Sequence, residues 1–331
     1  MAGHKGGRFN GLPQSKRKEN KTMYETIPTL NMGHEEWLKL RKTGIGGSDA
    51  AAVCGLNPYA SPMSIYKDKT EDSITIEENE AMRQGKDLED YVARRFSEAT
   101  GLKVRRSHML YRSKEHPFMI ADVDRLIAGM DAGLECKTAS AYSAGKWADG
   151  KIPPHYLIQC LHYMAVTGKK EWYIAVAILG KDFKYAKLSW NDKLIQDLIT
   201  IEQRFWENHI VPRVMPKPDG SDACEEILKQ YFGTAQKGTA IPLVGFDEKL
   251  GRRAEILALM KQLEQEQRQI EQEIKLFMGE NETACSDSYR VTWANIDTTR
   301  LDTEKIRTER PDIYNDFGKT TSYRKFTIKA A

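Results

Sequence analysis

Ala121-Asp-Val-Asp-Arg-Leu-Ile-Ala-Gly-Met-Asp-Ala-Gly-Leu-Glu-Cys-Lys137 sets an acid at the head of one short apolar run and a Glu-x-Lys triplet inside the next. Leu126 and Ile127 precede a Gly129/Asp131/Gly133 turn, and Leu134 and Cys136 follow it. That pattern predicts a β-hairpin with Asp124, Glu135 and Lys137 gathered at one end of a sheet. Two carboxylates beside an ammonium are the parts of a metal-dependent nuclease centre. Carboxylate oxygens are hard ligands suited to Mg²⁺, with Mn²⁺ able to substitute, and Mg²⁺ is usually held by one or two carboxylates plus substrate phosphates. Lys137 would orient the attacking water or neutralise charge building on the phosphate.

The triplet alone is common in a chain with 29% charged residues: Glu19-Asn-Lys21, Asp182-Phe-Lys184, Asp247-Glu-Lys249 and Glu273-Ile-Lys275 also fit it. None of these lies on an apolar strand with a second acid one hairpin upstream. Three flanking segments add to the hairpin. Residues 81–96 carry Leu88, Tyr91, Val92 and Phe96 at helical spacing, with Glu89 bordering the stripe, where a carboxylate can reach a metal site. From Ile152-Pro-Pro-His onward a helix is predicted in which Tyr156, Gln159 and Tyr163 share a face, and Gln159 can donate to a phosphate or to the attacking water. Between Trp37 and Val53 a glycine-rich turn leads into a small-residue helix with Ser48 or Asp49 at its N-cap, a place that attracts anions, and Arg41 adds a fork of donors. The Gly-x-Gly-Gly string lacks the glycine spacing of a dinucleotide fingerprint and the Gly-Lys-Ser/Thr ending of a P-loop.

Taken in order, Trp37…Arg41…Ile45-Gly-Gly-Ser-Asp-Ala…Gly55-Leu-Asn-Pro-Tyr59, Gly85-Lys-Asp-Leu-Glu89, Asp124, Glu135-Cys-Lys137 and Ile152-Pro-Pro-His-Tyr156…Gln159 resemble the YqaJ viral recombinase family. These are phage-type alkaline exonucleases similar to lambda exonuclease, within the PD-(D/E)xK superfamily. The resemblance covers roughly residues 35–215 and implies an α/β, restriction-endonuclease-like core whose mixed central sheet is flanked by helices. It implies Asp124, Glu135 and the Cys136 carbonyl as metal ligands, Lys137 positioning the water, Glu89 completing the acidic set, and Gln159 with Tyr156 buttressing the site. Arg41 and Ser48 match the place where such enzymes hold a terminal 5′ phosphate. The implied activity is 5′-to-3′ digestion of double-stranded DNA from a free end in phage-type recombination, with a single-strand annealing protein as partner and a ring-shaped homotrimer as assembly. A restriction-type endonuclease or a noncatalytic DNA-end binder would share parts of the pattern. One departure is that Val123 and Arg125 flank Asp124. Alternation puts Asp122 and Asp124 on one strand face, so alternation alone does not choose between them.

At 331 residues and 40% hydrophobic content the chain can bury a sizeable core. It has no apolar run of membrane-spanning length and no signal-peptide core, which fits a cytoplasmic protein of a bacterial host. Five scattered cysteines argue against a disulfide framework, a zinc ribbon or an iron–sulfur cluster. A net charge of +3 is too small to demonstrate DNA binding, so placement decides, and Arg94, Arg95, Lys103, Arg105, Arg106 and Arg112 are the candidates for a DNA-facing surface. Three regions are expected: a basic arm over residues 1–30, a nuclease core over 31–218, and an appendage over 219–331. In the appendage Ile256, Met260, Leu263, Ile270, Ile274 and Phe277 follow a heptad seam broken at Gln267, and strands over 289–295 and 322–329 bracket a helix ending near Pro311.

Overall fold

The computed structural model describes residues 22–72 and 79–328, and the chain divides into one unit ending at Phe232 and another beginning at Gly233. In chain order the first unit contains β1 (Tyr24–Pro28), α1 (His34–Lys42), α2 (Gly47–Val53), α3 (Pro62–Thr70), α4 (Glu80–Thr100), β2 (Val104–Arg105), β3 (Met109–Ser113), β4 (Ile120–Asp122), β5 (Arg125–Ile127) and β6 (Ala132–Ala139). After them come α5 (Pro154–Thr167), β7 (Glu171–Ile178), β8 (Asp182–Ser189), α6 (Asp192–Phe205) and α7 (Asp222–Phe232).

Strand β7 shows why the sheet is central. Its sequence, Glu-Trp-Tyr-Ile-Ala-Val-Ala-Ile, is apolar at successive positions, as a strand covered on both faces must be. Trp172, Ile174, Val176 and Ile178 point into a core shared with Leu161 and Met164 of α5 and Ile195 and Leu198 of α6. Tyr173, Ala175 and Ala177 point the other way, onto Val92 and Phe96 of α4. Each large side chain so buried contributes about 1.5–3 kcal/mol. The resulting five-stranded sheet has the order β2-β5-β6-β7-β8, with β6 and β7 parallel and the other neighbours antiparallel. Helix α4 covers one face, and α5 with α6 covers the other.

Period two along β6 sends Leu134 and Cys136 to the α4 face, so Glu135 and Lys137 emerge beneath α5. The predicted hairpin forms: β5 pairs with β6 in the register Arg125↔Leu134 and Leu126↔Gly133, and Gly129 takes the left-handed conformation, φ 75°, that its turn requires. A second, three-stranded sheet has the order β1-β3-β4. Beside β4 the loop at Ile45 makes a parallel bridge to Met119, with Ile45 N–H donating to the Phe118 carbonyl at 2.7 Å and Ile120 N–H to the Ile45 carbonyl at 3.0 Å. This bridge seats Gly46–Ser48 next to the end of β4.

Several sequence expectations need correction. Residues 24–28, assigned to the basic arm, form β1 and pair with β3, because Tyr24 packs edge-on against Tyr111 at 5.0 Å; the basic stretch over residues 1–21 lies outside the described residues. Asp122 and Asp124 do not share a strand. The chain leaves one sheet for the other between them, so alternation does not relate their side chains. Residues 222–232 belong with the first unit: α7 seats the buried Cys224 against Met63 of α3. Helix α6 runs on into a π-helical turn over Trp206–Ile210.

The second unit contains α8 (Asp247–Met278), β9 (Thr283–Cys285), β10 (Arg290–Thr292), α9 (Thr303–Glu309) and α10 (Pro311–Phe317). The heptad stretch is helical, and its Ile256, Met260, Leu263, Ile270 and Phe277 side chains are exposed. Among the described residues no strand forms over 322–328; β10 pairs instead with β9, which has too few apolar residues to stand out in the sequence. No helix of the described residues is long and apolar enough to cross a membrane.

Candidate active site

Asp124 sits in the gap between β4 and β5, and its Oδ2 accepts the Cys136 N–H at 2.7 Å. Strand β5 begins only at Arg125, opposite Leu134, so at Cys136 the Asp124 carboxylate takes the place of a backbone partner. A strand residue aims its N–H and C=O to the same side. The Cys136 carbonyl therefore faces the same gap as Asp124. Beside it Glu135, 1% exposed, takes a hydrogen bond from Gln159 Nε2 at 2.7 Å and lies 2.5 Å from Lys137 Nζ, all at Oε1. Glu135 Oε2 is buried and has no hydrogen-bond partner.

Burial, then the neighbouring Glu135 charge, pushes the Asp124 carboxyl well above the ordinary range, with only partial relief from Lys137. Glu135 is likewise raised by burial, against which Lys137 works. Burial pushes the Lys137 ammonium down, but Glu135 and Asp124 outweigh it, so this lysine stays protonated more firmly than an ordinary one. Its Nζ also lies 4.9 Å from the centre of the Tyr156 ring, which stacks on Trp147. Among the described residues no group of three His, Cys, Asp or Glu side chains is gathered for a metal. What is gathered is two side-chain carboxylates and a backbone carbonyl. An orphaned buried acceptor and two neighbouring carboxylates raised chiefly by burial fit a hard divalent cation, which would satisfy the first and neutralise the second.

Glu89 reaches the site from α4 and is not free. Arg125, 3% exposed, bonds Glu89, reaches Asp90 Oδ1 at 2.5 Å and donates to the Asp124 carbonyl at 2.6 Å. Burial followed by the Asp124 charge raises Glu89 despite that clamp. Arg125 was invisible as a site residue in the sequence because it sits within an apolar strand with no pattern pointing to a partner.

A pocket of about 170 Å³ lies on the other side of Gln159, lined by Trp37, Arg41, Gly47, Ser48, Asp122 and Tyr163 among others. Arg41 donates to Ser48 Oγ at 3.3 Å, lies 3.6 Å from Asp49 Oδ1 and covers the Trp37 ring at 5.0 Å. The N-cap of α2 is Gly46, not Ser48 or Asp49: Asp49, at the third helical position, turns back to accept the Gly46 N–H at 3.0 Å. Lys69, whose side chain is fully buried, pairs with Asp49 at 2.7 Å. Burial would raise Asp49, but Lys69 and Arg41 prevail and hold it at about 2. Tyr163 joins the two places, since its hydroxyl accepts from Gln159 at 2.9 Å while its ring lines the pocket. Gly47 makes that contact feasible: a Cβ there would fall 2.5 Å from the ring.

The structure thus gathers Asp124, Glu135, Lys137, Gln159 and Tyr156 in one place, with Glu89 at its border and Arg41 and Ser48 in the adjoining pocket. Of the candidate DNA-facing bases, Arg94 and Arg95 pair with Glu98, Arg106 with Asp90 and Arg112 with Glu25.

Residues 36–170 match the model of the YqaJ-like viral recombinase domain. Across 302 residues, 90% of this chain and 95% of the relative, the sequence is 36% identical to the uncharacterised protein YqaJ of Bacillus subtilis (strain 168). The chain belongs to the YqaJ-like viral recombinase family. Solved structures with similarity include the alkaline exonuclease LHK-Exo from Laribacter hongkongensis, at 22% identity over 53% of this chain and 91% of that one, with a TM-score of 0.46. A phage related exonuclease from Haemophilus somnus 129PT matches at 13% identity over 53% of this chain and 99% of that one, with a TM-score of 0.40.

Proposed function

We propose that this chain is a Mg²⁺-dependent exonuclease that digests the 5′-ended strand of double-stranded DNA from a free end, in phage-type homologous recombination. The observation that carries the reading is the Asp124/Glu135/Lys137 cluster with its orphaned Glu135 Oε2, sharing the Gln159–Tyr163 wall with the Arg41/Ser48 pocket. Asp124, Glu135 and the Cys136 carbonyl would hold the cation, with Mn²⁺ an expected substitute. When bound, it supplies a Lewis acid that makes water nucleophilic at neutral pH and polarises a phosphoryl oxygen.

The remaining work falls to the chain. Lys137 is held protonated between Glu135 and the Tyr156 ring, so it serves as a hydrogen-bond donor to the attacking water and to the charge growing on the phosphate, not as a base. Gln159, itself anchored on the Tyr163 hydroxyl, fixes the Glu135 carboxylate by donating to Oε1, leaving Oε2 without a protein partner and available to the cation. Arg125 neutralises Glu89 and Asp90 and grips the Asp124 carbonyl, limiting how far the acid can move. Arg41 and Ser48 receive the 5′ terminus, which sets the scissile bond one wall away. Membership of a viral recombinase family supports a place in recombination, in which the surviving single strand passes to an annealing protein; a ring-shaped trimer that threads the duplex is the matching assembly.

The test compares linear duplex with closed circular DNA, in Mg²⁺ and in EDTA, for wild type and Lys137→Ala. Expected are Mg²⁺-dependent loss of linear DNA from its 5′-ended strands, intact circles, and a fall of about 10²–10³ in rate for the variant. Circles cut as fast as linear DNA would make the protein an endonuclease, and end binding without cleavage would make it a noncatalytic adaptor.

A further inference from the structure

The run Gly55-Leu-Asn-Pro-Tyr59 between α2 and α3 holds none of the groups assigned to the cation or the phosphate, yet its tyrosine is 77% exposed and meets the His155 ring edge-on, with centres 6.2 Å apart. His155 in turn lies 4.0 Å from Tyr156 between ring centres, and Lys137 Nζ approaches the Tyr156 ring to 4.9 Å. A line of rings thus runs from the surface to the lysine of the reaction centre. The turn that carries Tyr59 is stiff. Asn57 Oδ1 accepts the Tyr59 N–H at 2.9 Å, Pro58 fixes one φ inside the turn, and Ser61 caps α3 by accepting the Ser64 N–H at 3.2 Å. A rigid aromatic side chain is therefore held out to solvent, where contact with a ligand costs it little conformational freedom.

The recess behind Tyr59 gives such a ring a use. Glu135 is 1% exposed and the Lys137 side chain 21%, so a phosphate reaches them only when its nucleotide has swung away from the duplex. The base of that nucleotide, or of its neighbour, then loses its pair and its stacking partners. Every base has a flat π face, so an aromatic side chain can replace the lost neighbour whatever the base. Tyr59 presents that replacement where the line of rings meets solvent.

We propose that Tyr59, edged by His155, is a sequence-tolerant stacking platform for an unpaired nucleobase beside the phosphate at Lys137. That the base belongs to a strand being cut rests on the exonuclease reading; the capture of an unpaired base does not.

Two linear duplexes test this in EDTA, where nothing is cut. One ends in a short unpaired 5′ tail carrying a fluorescent aminopurine; the other is fully paired and cross-linked at its terminal pair. Affinity is read by fluorescence anisotropy of end-labelled DNA, and stacking by quenching of the aminopurine. Tyr59→Leu is expected to bind the tailed end about tenfold more weakly and to lose the quenching, while Tyr59→Phe and Tyr59→Trp bind within about twofold of wild type. On the cross-linked duplex all four proteins should agree within about twofold, because no base is free to stack. The salt dependence of binding should be the same for wild type and Tyr59→Leu, since a phenol displaces no counterions. In Mg²⁺ the Tyr59→Leu defect on linear DNA should fall in KM. A merely structural loss would weaken both duplexes alike and would overturn the platform, as would a Tyr59→Leu protein that binds and quenches as wild type does. Quenching that depends on Tyr59 in a protein that cuts nothing would remove the exonuclease reading and leave the platform standing. Digestion of linear DNA with neither binding nor quenching dependent on Tyr59 would remove the platform alone.

Discussion

Gly47→Ala is the sharpest probe of the link between the pocket and the catalytic cluster. The added Cβ would lie 2.5 Å from Tyr163 Cε1, 2.8 Å from its Cζ and 3.1 Å from Gln159 Cγ. Carbon atoms at rest sit about 3.5–4.0 Å apart, so the tyrosine ring must retreat by about 1 Å. It has nowhere to go: Tyr163 is 5% exposed and backed by Trp172, with ring centres 5.3 Å apart. Overpacking of this kind costs about 1–3 kcal/mol, and the better helix propensity of alanine returns about 1 kcal/mol, which leaves a net loss of about 0–2 kcal/mol. Activity should suffer more than stability. The Tyr163 hydroxyl is bonded to Gln159, which is bonded to Glu135, and a misplacement of about 1 Å in such a chain costs about 10²-fold in rate. Urea unfolding of Gly47→Ala, Tyr163→Leu and the double variant, alongside digestion of linear duplex, measures both effects. Removing the ring relieves the clash, so the double-variant cycle should show a coupling of about 1 kcal/mol or more. Additive free energies within about 0.5 kcal/mol, or a Gly47→Ala protein as active as wild type, would refute the reasoning.

Arg125→Met removes the clamp on Glu89 and Asp90, and because those acids are partly exposed the loss should be about 1–3 kcal/mol in urea unfolding, with Glu89→Gln in the same chain recovering part of it. Asp49, held at about 2 in the fold against an ordinary 3.8, contributes stability that is full above 3.8 and lost as pH falls through about 2. That contribution is roughly 2–3 kcal/mol, so Asp49→Asn should be less stable at neutral pH and show a flatter unfolding profile between those two values. Mg²⁺ should raise the thermal midpoint of wild type, by the equivalent of about 2.7 kcal/mol at a hundredfold excess over Kd, and leave that of Glu135→Gln nearly unmoved; an equal rise in both would place the cation elsewhere.

Much of the site could be read from residue order because its parts sit on periodic elements. The hairpin, the amphipathic stripe of α4 and the shared face of Tyr156, Gln159 and Tyr163 each follow from local spacing, and the fold places them as the spacing suggests. The choice between Asp122 and Asp124 was not legible. It depends on where the chain passes from the sheet of β4 to the sheet of β5, and two residues outside any strand carry no periodicity. Arg125 and Lys69 were hidden for a related reason. Each is defined by partners distant in sequence, Glu89 for the one and Asp49 for the other, and a basic side chain within a strand or helix announces neither. Gly46 displaced Ser48 as the cap because Asp49 turns back onto the Gly46 amide, a competition between near-equal side-chain acceptors that sequence does not rank.

Asp124 also acts as a stopper. By taking the Cys136 N–H it satisfies an amide of β6 that lies just past the pairing with β5, so the acid of the reaction centre also caps the start of a sheet edge. Alanine at this position would therefore strand a backbone donor, at a cost of about 1–3 kcal/mol, and open a short edge to stray pairing. Asparagine keeps an acceptor on that amide while deleting the charge. Comparing the two substitutions separates what Asp124 does for chemistry from what it does for the integrity of the sheet beneath it.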